Sequence, residues 1–154
     1  MTHDDGIWKP HLTVATVVER HGRFLMVEED IDGERVINQP AGHLEAGESL
    51  LEAAVRETLE ETAWHVRPTA LVAIYRWRSP AGTTFIRITF AADGLHQEPD
   101  RRLDAGIHRA LWLTAQEVHE ARIRSPMVSR CIDDHEGGSR YPLALLQDLA
   151  TGGG

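Results

Sequence analysis

Residues 50–62 read as a helix whose two faces make opposite demands, and that conflict limits both the fold and the chemistry open to the chain. Ser49 followed by Glu52 forms a capping box, in which the two side chains satisfy orphan N–H groups of the first turn. Leu51, Val55, Thr58, Leu59 and Thr62 fall on one helical stripe suited to burial against a sheet. At about 100° per residue, Glu57, Glu60 and Glu61 share an adjoining arc of roughly 100°, expected to look outward. Like charges at this spacing cost about 0.2–0.5 kcal/mol per pair when exposed, and more when partly buried. They also occupy the last two turns, where the helix dipole favours cations. Arg56, four residues before Glu60, is the local compensation. Two readings follow. One is a solvated acidic face carrying a single i,i+4 ion pair. The other is a divalent cation site, because Mg²⁺ or Mn²⁺ prefers carboxylate oxygen and keeps coordinated water.

The flanks supply the sheet. Residues 11–18 and 23–29 read as strands joined by the turn Glu19-Arg20-His21-Gly22, a hairpin. After the turn at Asp30-Ile31-Asp32-Gly33 comes a short apolar run, Val36-Ile37, and Asn38-Gln39-Pro40-Ala41-Gly42 is expected to break regular structure. Beyond the helix, Pro68 stops any continuation. Strands are expected near 70–78 and 84–92 around Ser79-Pro80-Ala81-Gly82. The apolar run Ala110–Leu113 leads into helices near 115–121 and 126–135, and Leu143–Leu149 has room for a further turn or two. This order of elements fits a mixed sheet covered by helices, an α/β (α+β) sandwich rather than a doubly wound fold.

At 154 residues the chain is the size of one domain, 1–154, with an ordered core expected over about 7–150. Its single cysteine, Cys131, forms no intrachain disulfide and suits a reducing compartment. Sixteen Lys and Arg against 24 Asp and Glu leave a net charge of −8, and the arginines are scattered. Such a chain is repelled by nucleic acid and by anionic membrane, so neither is expected as a partner. An acidic N-terminus without an apolar run behind it is no signal peptide, and no stretch is long enough to span a bilayer. A cytoplasmic monomer or homodimer is the expectation.

What precedes the helix decides between its two readings. The run Gly42-His43-Leu44-Glu45-Ala46-Gly47-Glu48, then seven residues, then Arg56-Glu57-Thr58-Leu59-Glu60-Glu61-Thr62-Ala63-Trp64 resembles the signature of the Nudix hydrolases. In that signature Gly, Glu, Arg-Glu and Glu-Glu recur at these separations, and all six anchors are present in register. Two positions depart from the pattern. Thr58 stands where an aliphatic residue is usual, and Ala63 replaces a glycine just past the helix. An alanine with φ > 0 there costs roughly 1 kcal/mol or shifts the cap. Trp8-Lys9-Pro10-His11, Asn38 to Glu45, Arg124-Ser125-Pro126 and Arg140-Tyr141-Pro142-Leu143 look like segments of one bacterial phosphatase branch of the same family.

The resemblance implies a Nudix α/β/α sandwich and a Mg²⁺-dependent hydrolase (Mn²⁺ substituting) of phosphoanhydride bonds in a small phosphorylated substrate. Nucleoside tri- and diphosphates are the first substrate class, pyrophosphates of the thiamine pathway the second. It implies Glu57, Glu60 and Glu61 as carboxylate ligands, with the Gly42 carbonyl as a further one. Arg56 would orient Glu60 and Glu48 rather than touch substrate. A general base among the glutamates or on another loop is left open, with Asp104 a candidate, Glu98 a poorer one, and a turn-forming role the alternative for Asp104. Arg87 alternates away from Ile86, Ile88 and Phe90 and is either a phosphate contact or an ordinary ion-paired residue. Arg76, Arg78, Trp77 and Trp8 are further substrate candidates, the tryptophans for ring stacking, although a core role is their ordinary one. The nine histidines show no metal spacing, leaving His11 and His43 as structural or supporting residues. Competing functions are another Nudix specificity, such as ADP-ribose or a dinucleoside polyphosphate, and a non-catalytic ligand-sensing domain on the same fold.

Overall fold

A computed structural model describes residues 5–149. In chain order the elements are β1 (His11–Arg20), β2 (Arg23–Ile31), β3 (Glu34–Asn38), β4 (Ala41–His43), α1 (Leu50–Thr62), β5 (Trp64–Arg78), β6 (Thr84–Gln97), β7 (Ile107–Leu113), α2 (Ala115–Glu120) and α3 (Pro126–Glu136), then a 3₁₀ turn at Leu143–Leu145. The sheet runs β3-β2-β1-β6-β5, with β4 added to β1 and β7 to β2. β1 and β6 are parallel, and the other pairings are antiparallel, so the sheet is mixed.

β1 is buried from Thr13 to Val18 because both of its faces are covered. Val14 packs with Ala53 and Ala54 of α1, whereas Val17 packs with Val128, Cys131 and Ile132 of α3. The result is helix, sheet and helices in three layers. The edge of β1 is shared unequally. β4 takes its first half at Thr13, Val14 and Ala15, and β2 pairs only with Glu19 and Arg20 at its far end. The sheet therefore parts between β4 and β2, and a cavity opens in the gap.

Several expectations need correcting. Trp64–Arg78 forms one strand straight after the helix, with Pro68 at a register irregularity, where its missing N–H costs no ladder bond. β6 continues to Gln97, and the segment expected to be irregular before the helix contains β4. The buried face of α1 is also rotated from the expected stripe. Ala53, Ala54, Glu57, Thr58, Glu61 and Thr62 are buried, while Leu51, Val55 and Leu59 are only half-buried. Small residues let the helix approach the sheet closely, and this carries two of the glutamates inward instead of out to solvent.

Both departures from the family signature have visible consequences. The buried Thr58 hydroxyl bonds to the Ala54 carbonyl at 2.7 Å and to the Thr16 hydroxyl at 2.8 Å, so its polarity is met by a partner on β1. Ala63 takes the strained conformation that a glycine adopts freely, with φ of 65°, and its N–H closes the helix on Leu59.

Candidate active site

The backbone before α1 builds the site from below. Gly42 lies so close to the Glu57 carboxylate that a Cβ on residue 42 would collide with it, and this explains the glycine. One residue earlier, the Ala41 N–H donates to Glu61 Oε1 at 2.9 Å. Glu61 therefore has a partner, where the sequence suggested none. Arg56 is likewise ringed more fully than its spacing from Glu60 indicates. It donates to Glu48 at 2.7 and 2.9 Å, to Glu57 at 2.8 Å, to Glu60 at 3.2 Å and to the His43 carbonyl at 3.1 Å. Glu48 in turn accepts from the Glu45 N–H at 2.7 Å, which pins the loop over the helix.

Across from the helix, the loop before β7 contributes Asp104. Its N–H donates to the Glu60 carbonyl at 3.0 Å, one of the orphan acceptors near the end of α1. Carboxylate oxygens of Glu57, Glu60 and Asp104 lie within 4.8 Å of one another. Glu61 stands apart from that trio and lines the cavity with Ala41, Gly42 and His43.

The electrostatics are unfavourable as they stand. Burial raises the Glu57 carboxyl above its ordinary range even though Arg56 pulls it down, and the charges of Glu60 and Asp104 push it further up. Burial drives Glu61 up to about 9, against the Ala41 N–H, with Glu57, Glu29 and Asp104 adding to the rise. Glu48, by contrast, is held below the usual range by Arg56. A hard divalent cation is the species this oxygen set fits, since it would remove the mutual repulsion that the protein leaves standing.

The cavity measures about 310 Å³ and is walled by Trp77, Phe85 and Met127, with Thr13, Asn38 and Arg87 also lining it and Glu29 and Arg124 among its other polar residues. Trp77 stacks on Phe85 at 5.7 Å, His11 follows at 5.4 Å, and His43 lies 5.1 Å beyond, making an aromatic row that ends beside Gly42. His11 Nδ1 and His43 Nε2 share a hydrogen bond of 2.9 Å, and burial together with His11 keeps His43 below its ordinary pKa. Arg87 is 5% exposed and donates to Gln39 Oε1 and Asn38 Oδ1, both at 3.1 Å.

Other sequence candidates lie elsewhere. Arg76 and Arg78 are exposed and do not line the cavity, Trp8 is 71% exposed, and Glu98 bonds His65 at 2.8 Å and Arg101 at 3.3 Å. Asn38, Gln39, Glu29, Phe85, Arg124 and Met127 were not among the sequence candidates. Asn38 and Arg124 fall in segments that look like the phosphatase branch, but nothing local marks them as cavity residues.

The NUDIX domain family matches residues 9–131, so the chain belongs to the Nudix family and is a Nudix hydrolase. Within it, the chain is 43% identical over 144 residues to the protein called phosphatase NudJ in Escherichia coli K12, covering 93% of this chain and 94% of that one. The Shigella flexneri phosphatase NudJ matches equally well. A solved NUDIX hydrolase from Nitrosomonas europaea superposes with a TM-score of 0.89 at 45% identity, covering 91% of this chain and 97% of that one.

Proposed function

We propose that this chain is a Mg²⁺-dependent hydrolase of phosphoanhydride bonds in nucleoside tri- and diphosphates, with pyrophosphates of the thiamine-pathway type as a second substrate class. The observation that carries the reading is the meeting of Glu57, Glu60 and Asp104 within 4.8 Å, beside Gly42, Glu61 and Ala105, which line a cavity that the buried Arg87 also lines. Those three carboxylates, with the Gly42 carbonyl, are the groups to hold the cation. A bound Mg²⁺ or Mn²⁺ supplies a water of lowered pKa and neutralises charge on the phosphate oxygens. The protein does the positioning. Arg56 fixes Glu57 and Glu60 by direct hydrogen bonds and has no free path to substrate, since Glu48 and the His43 carbonyl take its remaining donors. Glu61 is the helix glutamate that faces the cavity, and once its own proton is displaced by the charge of a nearby cation it is suited to accept the proton from the attacking water. Arg87 holds an anionic group of the substrate, and the Trp77–Phe85 stack offers a face for a planar ring.

The test is product release from a substrate panel. A nucleoside triphosphate should yield orthophosphate, with diphosphate appearing before monophosphate. Activity should disappear with chelator and return with Mg²⁺ or Mn²⁺ but not with Ca²⁺, whose looser shell positions water poorly. Undiminished turnover in excess chelator would refute the assignment, and inorganic pyrophosphate as sole product would move the attack to the α-phosphorus.

A further inference from the structure

Arg87 is a buried cation surrounded by neutral groups. Its two terminal nitrogens are taken by the side-chain oxygens of Gln39 and Asn38, each at 3.1 Å. Cys131 sits beside it, and burial keeps that thiol above its ordinary range and so uncharged. Among the described residues no carboxylate pairs with the guanidinium. Glu29, which lines the same cavity, accepts instead from the far side of the Asn38 amide at 2.9 Å and pairs with Arg124 at 3.7 Å. Leaving a charge buried without a counterion is costly, and arginines so deeply buried are ordinarily paired. Here two amides occupy the places where an acid would be expected, and both are built in. Gln39 is 0% exposed and its amide nitrogen donates to the Val128 carbonyl of α3 at 2.7 Å, while Asn38 is 6% exposed.

The same short segment also reaches the carboxylate helix. Asn38 and Gln39 hold Arg87, Ala41 holds Glu61, and Gly42 abuts Glu57. We infer that Asn38 and Gln39 are positioning residues that keep Arg87 an uncompensated cation, at a set distance from the carboxylate cluster, to receive a second anionic group of the substrate. The inference rests on the anion-binding role proposed for Arg87. Amides serve this purpose where acids would not: they orient the planar guanidinium through its rigid fork without cancelling its charge.

Gln39→Glu tests the idea because it improves the pairing while spoiling the proposed purpose. A carboxylate at residue 39 gives Arg87 a counterion in nearly the same shape. KM for ATP with Mg²⁺ should rise tenfold or more with kcat changed less than threefold, and the dissociation constant of inorganic pyrophosphate, measured by calorimetry in Mg²⁺, should rise in parallel. The substitution also gives up the donor to the Val128 carbonyl, so the melting temperature is free to move and the two affinities, read on folded protein, decide. Asn38→Asp, which places the acid on the other nitrogen at the cost of the Asn38 bond to Glu29, should raise both constants as well and stands in if the first variant fails to fold. A purely structural amide predicts unchanged affinity in the folded variant, whatever the melting temperature does. Arg87→Met separates the two layers of reasoning. If that variant leaves both constants unmoved, Arg87 binds no anion and the proposal beneath falls. If Arg87→Met raises them tenfold but a folded Gln39→Glu leaves them within twofold, the positioning inference alone is overturned. Pyrophosphate binding that follows this pattern in a protein without ATP turnover upholds the inference and removes the proposed substrate.

Discussion

Replacing Glu61 by glutamine keeps the shape of the side chain and its bond from the Ala41 N–H, and removes only the capacity to ionise. In the metal-free protein that capacity is a liability. The carboxyl titrates near 4.5 in the unfolded chain and at about 9 in the fold, chiefly because it is buried. Between those values the folded state carries a proton that the unfolded state has lost. Stability contributed by this group is therefore fully present below pH 4.5 and is lost as pH rises toward 9. The limiting slope for one proton is about 1.4 kcal/mol per pH unit. From pH 7 to 8.5 this amounts to roughly 2 kcal/mol, or about 4–8 °C in melting temperature for a domain of this size. The interval avoids His135, brought down to about 4, and His43, also lowered, since both are already neutral there in either state.

The assay is chemical or thermal unfolding in the presence of chelator, at several pH values, for parent and Glu61→Gln. The parent should lose stability across the interval more steeply than the variant, and the two should converge only as pH falls to about 4.5 and below, where the Glu61 carboxyl is neutral in both folded and unfolded states. Mg²⁺ at about 100 times its dissociation constant should then stabilise the parent by roughly 2.7 kcal/mol. It should do so less for the variant, and the parent's affinity for Mg²⁺ should increase with pH as Glu61 ionises and adds its charge to that of Glu57 and Asp104. Parallel pH curves for the two proteins would show that Glu61 is already ionised in the metal-free fold, and the account of its burial would be wrong.

Asp104→Asn should cut metal-dependent turnover by at least tenfold while leaving the metal-free melting temperature within about 2 °C, since the backbone bond to Glu60 survives. Circular dichroism melts with steady-state kinetics check both halves, and full activity removes Asp104 from the site. Thr16→Val should cost about 1 kcal/mol because the buried Thr58 hydroxyl loses a partner. Adding Thr58→Val should recover most of that loss, and a double-mutant cycle that is simply additive would show the hydroxyl pair to be uncoupled. Ala63→Gly relieves strain at φ 65° but gives up a buried methyl, terms of about 1 and 0.8 kcal/mol. Its melting temperature should match the parent within about 3 °C, and a large gain would mean the strain has been undervalued.

The parts of the fold legible in the sequence are those set by neighbours in the chain. The capping box at Ser49 and Glu52, the helix it starts and the hairpin of β1 and β2 are short-range patterns, and the structure contains each of them. The choice of buried face was not legible. A helix can bury either Leu51, Val55 and Leu59 or the smaller Ala53, Ala54 and Thr58, and periodicity favours the bulkier set. The sheet chose the smaller one, because close approach at Gly42 and the Thr16–Thr58 bond both require it. Glu57 and Glu61 then turn inward as a consequence. The cavity was less legible still. Arg87 meets amides 48 and 49 positions away, and Asn38 and Gln39 look in sequence like ordinary turn-formers ahead of Pro40. Nothing local distinguishes a solvated Asn-Gln pair from one that grips a buried arginine.

The two unsatisfied features of the metal-free protein are complementary to a single kind of ligand. On one side of Ala41 stand carboxylates that repel one another and are pushed toward protonation; on the other stands an arginine without a counterion. They do not neutralise each other, because Asn38 to Gly42 keeps them apart while holding both. A cation alone would relieve the first group, and an anion alone the second. A polyphosphate carrying its own divalent cation relieves both at once, with the metal on the carboxylates and a more distant negative group on Arg87. Filling the arginine's need internally, as Gln39→Glu would, should therefore make a poorer binder. The stability left unclaimed in the free fold is the source of affinity for that ligand.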